Sequence, residues 1–200
     1  MLRPAPASSK PAYQWRDGGY LARTLSPSDA NNDYLSWIAN PRLMNALNMP
    51  ARKLTLTELK AQIGQYDQRG SLLAGIFRET PDGLRLIGVF VVTLNLEHRL
   101  ARVSGFIGEE GPAPHFIKFV KSVFGYLFES RGVEKIGAQV AASNRGALAA
   151  CWALGMRHEG LLRGEIRKFD GSGRLDQHAF GLLREEWRER LKPGGFRSGS

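Results

Sequence analysis

The stretch from Val133 to Arg163 constrains this chain most. Val133 to Val140 reads as a strand, the small residues after it as a turn ending at Asn144, and Ala147 to Leu154 as a short helix closed by Gly155. Ser143 and Asn144 are good helix caps, because a short polar side chain accepts a bond from an orphan amide of the first turn. Gly155 supplies the left-handed residue that commonly ends a helix. A strand feeding a helix in this way sets Asn144 at the mouth of a crevice, where a ligand lying along the strand end can be held. Taken alone, the pattern also suits an ordinary capped strand–turn–helix unit.

The flanks add an order of parts. Tyr20 to Leu25 suggests a first strand, and Ser26, Pro27, Ser28 and Asp29 a turn into helix. Tyr34, Leu35, Trp37, Ile38, Leu43 and Met44 recur at helical spacing, and Leu59, Ile63 and Tyr66 continue a second helical pattern opened by Thr57 and Lys60. A strand Leu72 to Phe77, a turn at Pro81, Asp82 and Gly83, and a long apolar run Leu86 to Leu94 come next. Arg102 to Gly108 reads as the returning arm of an antiparallel hairpin bent over Asn95 to Arg99. The helix Pro114 to Ser130 has a broad apolar face of Phe116, Ile117, Phe119, Val120, Val123, Phe124, Leu127 and Phe128. After a loop at Asp170 to Gly173, a terminal strand runs through Ala179, Phe180, Leu182 and Leu183.

Over about residues 18 to 187, these parts in this order resemble the GNAT acetyltransferases, most of all the RimJ/RimL-like branch that acetylates ribosomal-protein amino termini. The resemblance implies an α/β (α+β) GNAT fold: a mixed central sheet of about six to seven strands, helices on both faces, and strands 4 and 5 splayed. It implies one domain at 18–190 between an N-terminal arm, 1–17, and a C-terminal tail, 191–200. The implied activity is transfer of an acetyl group from acetyl-CoA to a primary amine, a protein or peptide amino terminus or a small amine, by direct attack in a ternary complex. The pantetheine arm would lie between the strands around Val103 to Gly108 and Lys135 to Val140. Backbone groups near Phe106, Ile107 and Gly108 would pair with it, beside Asn144.

The resemblance weakens at the loop that cradles pyrophosphate in the family, which falls on Gly111 to Pro114. Pro112 and Pro114 replace the expected glycines, and a proline has no amide hydrogen to offer. Either Pro114 opens the helix and the amides of His115 and Phe116, with Lys118, meet phosphate, or the domain is a binding or scaffold module that has lost acetyl-CoA-dependent catalysis. The position seven after Asn144, a tyrosine acid in many family members, is Cys151, and the position three after it is Ala147. Cys151 is the candidate acid, with water as the alternative. Glu109 and His98 lead the candidate bases, with Glu97, Glu110 and Asp176 behind them.

Composition narrows the partners. Two hundred residues at 42% hydrophobic suit one core. A single cysteine excludes an internal disulfide framework and fits the cytoplasm. His98, His115, His158 and His178 are scattered without metal-ligand spacing, so no metal is expected. Met1 to Lys10 has no apolar stretch of the kind a signal peptide needs, and no run is long enough to span a bilayer. A formal charge of +9 favours anionic partners such as coenzyme A phosphates or an acidic peptide. The cations form no run interleaved with aromatics, so nucleic acid is not the expected main partner. A monomer or a homodimer both fit.

Overall fold

A computed structural model describes residues 12–108 and 113–192. The chain enters on a hairpin of β1 (Gln14–Asp17) and β2 (Tyr20–Thr24), turned at Gly18 and Gly19 with positive φ. The expected amino-terminal arm therefore ends in a strand, while residues 1–11, and 193–200 of the expected tail, lie outside the described residues. Four residues reading Gln-Trp-Arg-Asp are too short and too polar to announce a strand; the partner Tyr20–Thr24 makes one of them.

The helical segment expected from Tyr34 to Met44 is two helices. In α1 (Asn32–Ala39), Asn31 accepts the Tyr34 N–H at 2.9 Å. Asn40 leaves the helix at ψ 110 and its Oδ1 then accepts the Arg42 N–H at 3.0 Å, capping α2 (Pro41–Ala46). Pro41 sits at the first position of α2, where a missing N–H is harmless. Thr55 and Glu58 form a reciprocal capping box at the start of α3 (Leu56–Ile63).

The remaining elements are β3 (Ser71–Thr80), β4 (Gly83–Asn95), β5 (Leu100–Ile107), α4 (Ala113–Gly125) with a π-helical continuation at Tyr126–Ser130, β6 (Lys135–Ala141), α5 (Arg145–Ala153), β7 (Arg157–Arg167), β8 (Arg174–Leu183) and α6 (Arg184–Leu191), in the expected order with β7 and α6 in addition. Among the described residues the sheet has eight strands, ordered β1-β2-β3-β4-β5-β6-β8-β7, slightly more than expected. All neighbours are antiparallel except β5 and β6.

Side-chain alternation splits the core in two. Leu72, Ala74 and Ile76 of β3 join Phe119, Phe124 and Phe128 beneath α4, in a cluster that reaches Cys151, Phe180 and Trp187. Leu73 and Phe77 point the other way, into a cluster with Trp37 of α1 and Leu59 and Ile63 of α3. Among the described residues, no helix is long and apolar enough to cross a membrane, and no group of three or more His, Cys, Asp or Glu side chains is placed to hold a metal.

Candidate functional site

The parallel pair β5–β6 holds together for only three residue pairs, Leu100↔Lys135, Ala101↔Ile136 and Arg102↔Gly137. Beyond them β5 stays paired to β4 as far as Gly88↔Ile107, and β6 stays paired to β8 as far as Ala141↔Gln177. Each strand is thus held by its outer neighbour while the inner edges part.

Pairing decides which backbone groups face the gap. Gly108 donates its N–H to the Ile87 carbonyl at 2.9 Å. Strand alternation then turns Phe106 and Ser104 toward β4, and Ile107, Gly105 and Val103 toward β6. On the other side Ala142 donates to the Asp176 carbonyl at 2.9 Å, so Val140 and Ala138 face β8 and Gln139 faces the gap. The backbone groups near Phe106, Ile107 and Gly108 are thus divided between the two edges of β5. Those of Phe106 and Gly108 are turned to β4, and the gap is served by Gly105 and Ile107.

A cavity of about 710 Å³ occupies the gap. Val103, Gly105, Phe106, Ala138 and Gln139 line it from the strands, Phe116, Ile117 and Val120 from α4, and Asn144, Ala147, Ala150 and Cys151 from the start and flank of α5. Leu43, Ala46 and Leu47 of α2 and its end, with Ile166 of β7 and Gln177 of β8, complete the wall. None of the described lining residues carries a charge, and Cys151 is the one titratable group among them.

Asn144 caps α5 as expected: its Oδ1 accepts the Ala147 N–H at 3.0 Å. Its Nδ2 makes no hydrogen bond among the described residues, and Asn144 is part of the cavity wall. Gly155, at φ 75, ends the helix. Cys151 is buried, and burial pushes its thiol up to about 11. Phe116 lines the cavity and stands edge-on to Phe90 at 6.4 Å. His115 lies in the first turn of α4, but its ring is stacked on Tyr20 at 4.2 Å and does not line the cavity. Lys118 pairs with Asp17 of β1 at 3.0 Å. At the open end of β5, Gly108 lies against the Trp37 indole, so close that a β-carbon there would overlap the ring atoms Cδ2 and Cε2.

The described candidate bases lie apart from one another. His98 and Glu97 are exposed on the β4–β5 bend, where Asn95 Oδ1 accepts the His98 N–H at 3.0 Å. That bend is at the closed end of the gap, before Leu100, which is itself about 20 Å along the strand from Phe106, so the structure does not bring His98 to the cavity. Asp176 uses its Oδ1 to accept the Gly164 N–H at 2.6 Å, fixing the irregularity between Leu162 and Ile166. Glu109, Glu110 and Pro112 lie outside the described residues, as does the side chain of Pro114.

Sequence reasoning missed Asn48. Its Nδ2 donates to the Arg167 carbonyl at 3.0 Å and its Oδ1 accepts the Phe169 N–H at 3.1 Å. This amide pair ties the end of α2 to the β7–β8 turn across one flank of the cavity. An asparagine at φ 54 directly after a helix was the available signal, since Asn tolerates the left-handed region.

The same architecture recurs in solved structures. Ribosomal-protein-S5-alanine acetyltransferase from Vibrio fischeri matches with a TM-score of 0.74 at 15% identity, covering 88% of this chain and 98% of that one. The fold is that of the GNAT acetyltransferases. Spermidine N-acetyltransferase from Vibrio cholerae, in complex with CoA and spermine, matches with a TM-score of 0.71 at 20% identity over 85% of this chain and 98% of that one. A GNAT-family acetyltransferase from Bacillus anthracis gives 0.71 at 13% identity over 86% and 99%. No family model and no curated protein matches the sequence. At these identities the likeness establishes the fold alone.

Proposed function

We propose that this chain is an acetyl-CoA-dependent N-acetyltransferase acting on a primary amine by direct attack in a ternary complex. One observation carries the reading: the β5–β6 pairing stops after three residue pairs and leaves backbone donors and acceptors facing a cavity whose described lining residues are uncharged. An unpaired strand edge of this kind fits an extended amide-bearing arm, which can complete the interrupted ladder on either side. The structural neighbour solved with CoA and spermine has the same fold. A lone, buried cysteine suits a cytoplasmic setting.

Bound acetyl-CoA supplies an acyl carbon activated by a thiol leaving group. The N–H groups of Gly105 and Ile107 face the gap, where a fixed donor is most effective against the charge that develops on the carbonyl oxygen. The amine nitrogen forms its bond to the acyl carbon as the carbon–sulfur bond breaks; the nitrogen loses one proton and the thiolate gains one. Glu109, the residue two after the end of β5, is the base we assign. Cys151, with a thiol weaker as an acid than the ordinary value near ~8.5, serves as an apolar wall, and water returns the proton to the thiolate. The first-turn N–H groups of Ala113 and His115 at the start of α4 are donors left for phosphate.

Isothermal titration with acetyl-CoA and with desulfo-CoA tests this reading. Micromolar binding of both supports the enzyme. No heat at millimolar ligand assigns the fold to a binding or scaffold module whose loop, bearing Pro112 and Pro114, no longer takes pyrophosphate.

A further inference from the structure

We infer that the donor site is built for an unbranched apolar acyl chain of about four to six carbons, of which acetyl fills only the first part. The inference rests on the acetyltransferase reading and goes on to the class of acyl group. It begins beneath the strand gap. Phe90 of β4, Val120 and Phe124 of α4, and Cys151, Leu154 and Met156 in and after α5 line the cavity there, and each is at most 6% exposed. They belong to the core cluster under α4, to which Ala138 and Val140 of β6 also turn. These six side chains hold no nitrogen, no oxygen and no charge. A floor of that kind takes apolar ligands.

The floor starts where the acyl carbonyl is held. Phe90 pairs with Gly105 across β4 and β5, and its ring lies so close that a β-carbon at Gly105 would be 2.6 Å from Cδ2. The Gly105 N–H, assigned above to the acyl oxygen, therefore stands beside that ring. A chain attached to the same acyl carbon meets Phe90 first. Phe90 in turn stands edge-on to Phe116 and Phe119 of α4, at 6.4 and 5.9 Å, so the apolar surface runs on toward that helix. From α5 the cavity receives Ala147 and Ala150, whose methyl groups keep the space open. Leu43 and Phe106 belong to the cluster on the other face of the sheet, and that side is left for the amine. As with acetyl, the acyl carbon passes from sulfur to nitrogen, the nitrogen loses one proton and the thiolate gains one.

Size decides against acetyl as the whole occupant. An acetyl group needs the room of two water molecules, roughly 60 Å³. The cavity holds about 710 Å³. The extended arm of the coenzyme lies along the strand edges, with the floor beneath it, so acetyl alone leaves most of the six floor residues uncovered. Each further methylene buried there raises affinity about fourfold. A carboxylate at the end of the chain has the opposite effect, because none of the six side chains is a cation that would offset its desolvation. The floor therefore separates acyl groups by polarity as well as by length.

The experiment is isothermal titration of the full chain with acetyl-, butyryl-, hexanoyl-, decanoyl- and succinyl-CoA. Butyryl-CoA should bind at least about fivefold, and hexanoyl-CoA at least about twentyfold, more tightly than acetyl-CoA. Decanoyl-CoA should gain less than about threefold on hexanoyl-CoA, because the floor ends against α4 and α5. Succinyl-CoA has the four carbons of butyryl-CoA and a terminal charge, and should bind at least about tenfold more weakly than butyryl-CoA. Ala150→Leu pushes a longer side chain into the cavity and should bring hexanoyl-CoA to within about threefold of acetyl-CoA on the same variant; if that variant does not fold, the series on the unaltered chain decides alone. Acetyl- and hexanoyl-CoA of equal affinity would mean that the floor holds the coenzyme arm, and would overturn the acyl-chain class. Equal binding of succinyl- and butyryl-CoA, a gain that continues undiminished through decanoyl-CoA as non-specific apolar adhesion does, or a folded Ala150→Leu chain that keeps the full preference would overturn it too. Each of these results leaves the acetyl-transfer reading standing. Binding of none of the five at millimolar concentration defeats the enzyme reading itself.

Discussion

The two edges of β5 behave differently. Against β4 the strand is paired along its whole length, from Asn95↔Leu100 to Gly88↔Ile107; against β6 it is paired at three positions and then free. The same residues contribute to both edges in alternation, so the split is not a matter of β5 being a poor strand. It arises because β6 stays with β8 and β5 stays with β4, and a cavity edged by α4 and α5 separates the two pairs. A closed edge gives stability, and an open one gives a place where a ligand can supply the missing hydrogen bonds. Substitutions at the closed side should therefore change stability, and those at the open side should change binding.

The largest effect belongs to the hinge between these sides. Gly108→Ala drives a β-carbon into the Trp37 ring, which is itself buried, and should cost about 3 kcal/mol of stability with loss of acetyl-CoA binding. Chemical denaturation alongside titration reads both; a variant as stable as the parent would show that the open end of β5 is not pinned by Trp37. Asp29→Asn acts away from the open side, in the turn after β2. Burial would raise the Asp29 carboxyl, but the Arg23 guanidinium at 2.6 Å and the Ser26 N–H at 2.8 Å outweigh it and hold it below the ordinary carboxylate value. The variant should lose about 2 kcal/mol near neutral pH with unchanged coenzyme affinity. Because the folded carboxyl is depressed, its contribution is complete above the unfolded value near ~3.9 and disappears as pH falls through the lower folded value. The gap between variant and parent should accordingly narrow below about pH 4; a gap that widens there contradicts the ion pair.

On the open side, Asn144→Ala removes the α5 cap and a cavity-wall amide. It should reduce stability by about 1 kcal/mol and weaken acetyl-CoA about fivefold; an unaltered affinity would take Asn144 out of the binding site. Cys151→Ala should change kcat least, by less than a factor of two, and a hundredfold loss would restore the thiol as the acid.

Much of this was readable in the chain. The β6–turn–α5 unit, the Asn144 cap and the left-handed Gly155 come from local chemistry, as does the hairpin of Leu86 to Gly108, because caps, turns and alternation act over a few residues. Asn40 before Pro41 did mark a helix break, although the apolar spacing running on to Met44 concealed it. The direction of each β5 amide was not legible, since it depends on which residue of β4 lies opposite, and a slip by one residue reverses every group. Nor was the Asn48 clasp, whose partners lie about 120 residues away. His98 drew attention by residue type, and only the hairpin's direction places it at the closed end.

Amide hydrogen exchange read residue by residue, with and without coenzyme A, tests the parted edge most directly. The N–H groups of Gly105, Ile107 and Gln139 should exchange fast in the free protein and become at least tenfold slower on binding, while Ser104 and Phe106, already bonded to β4, should change little. Equal protection of alternate β5 residues before coenzyme is added, or no slowing at Gly105 and Ile107 in a protein that binds it, would contradict the account.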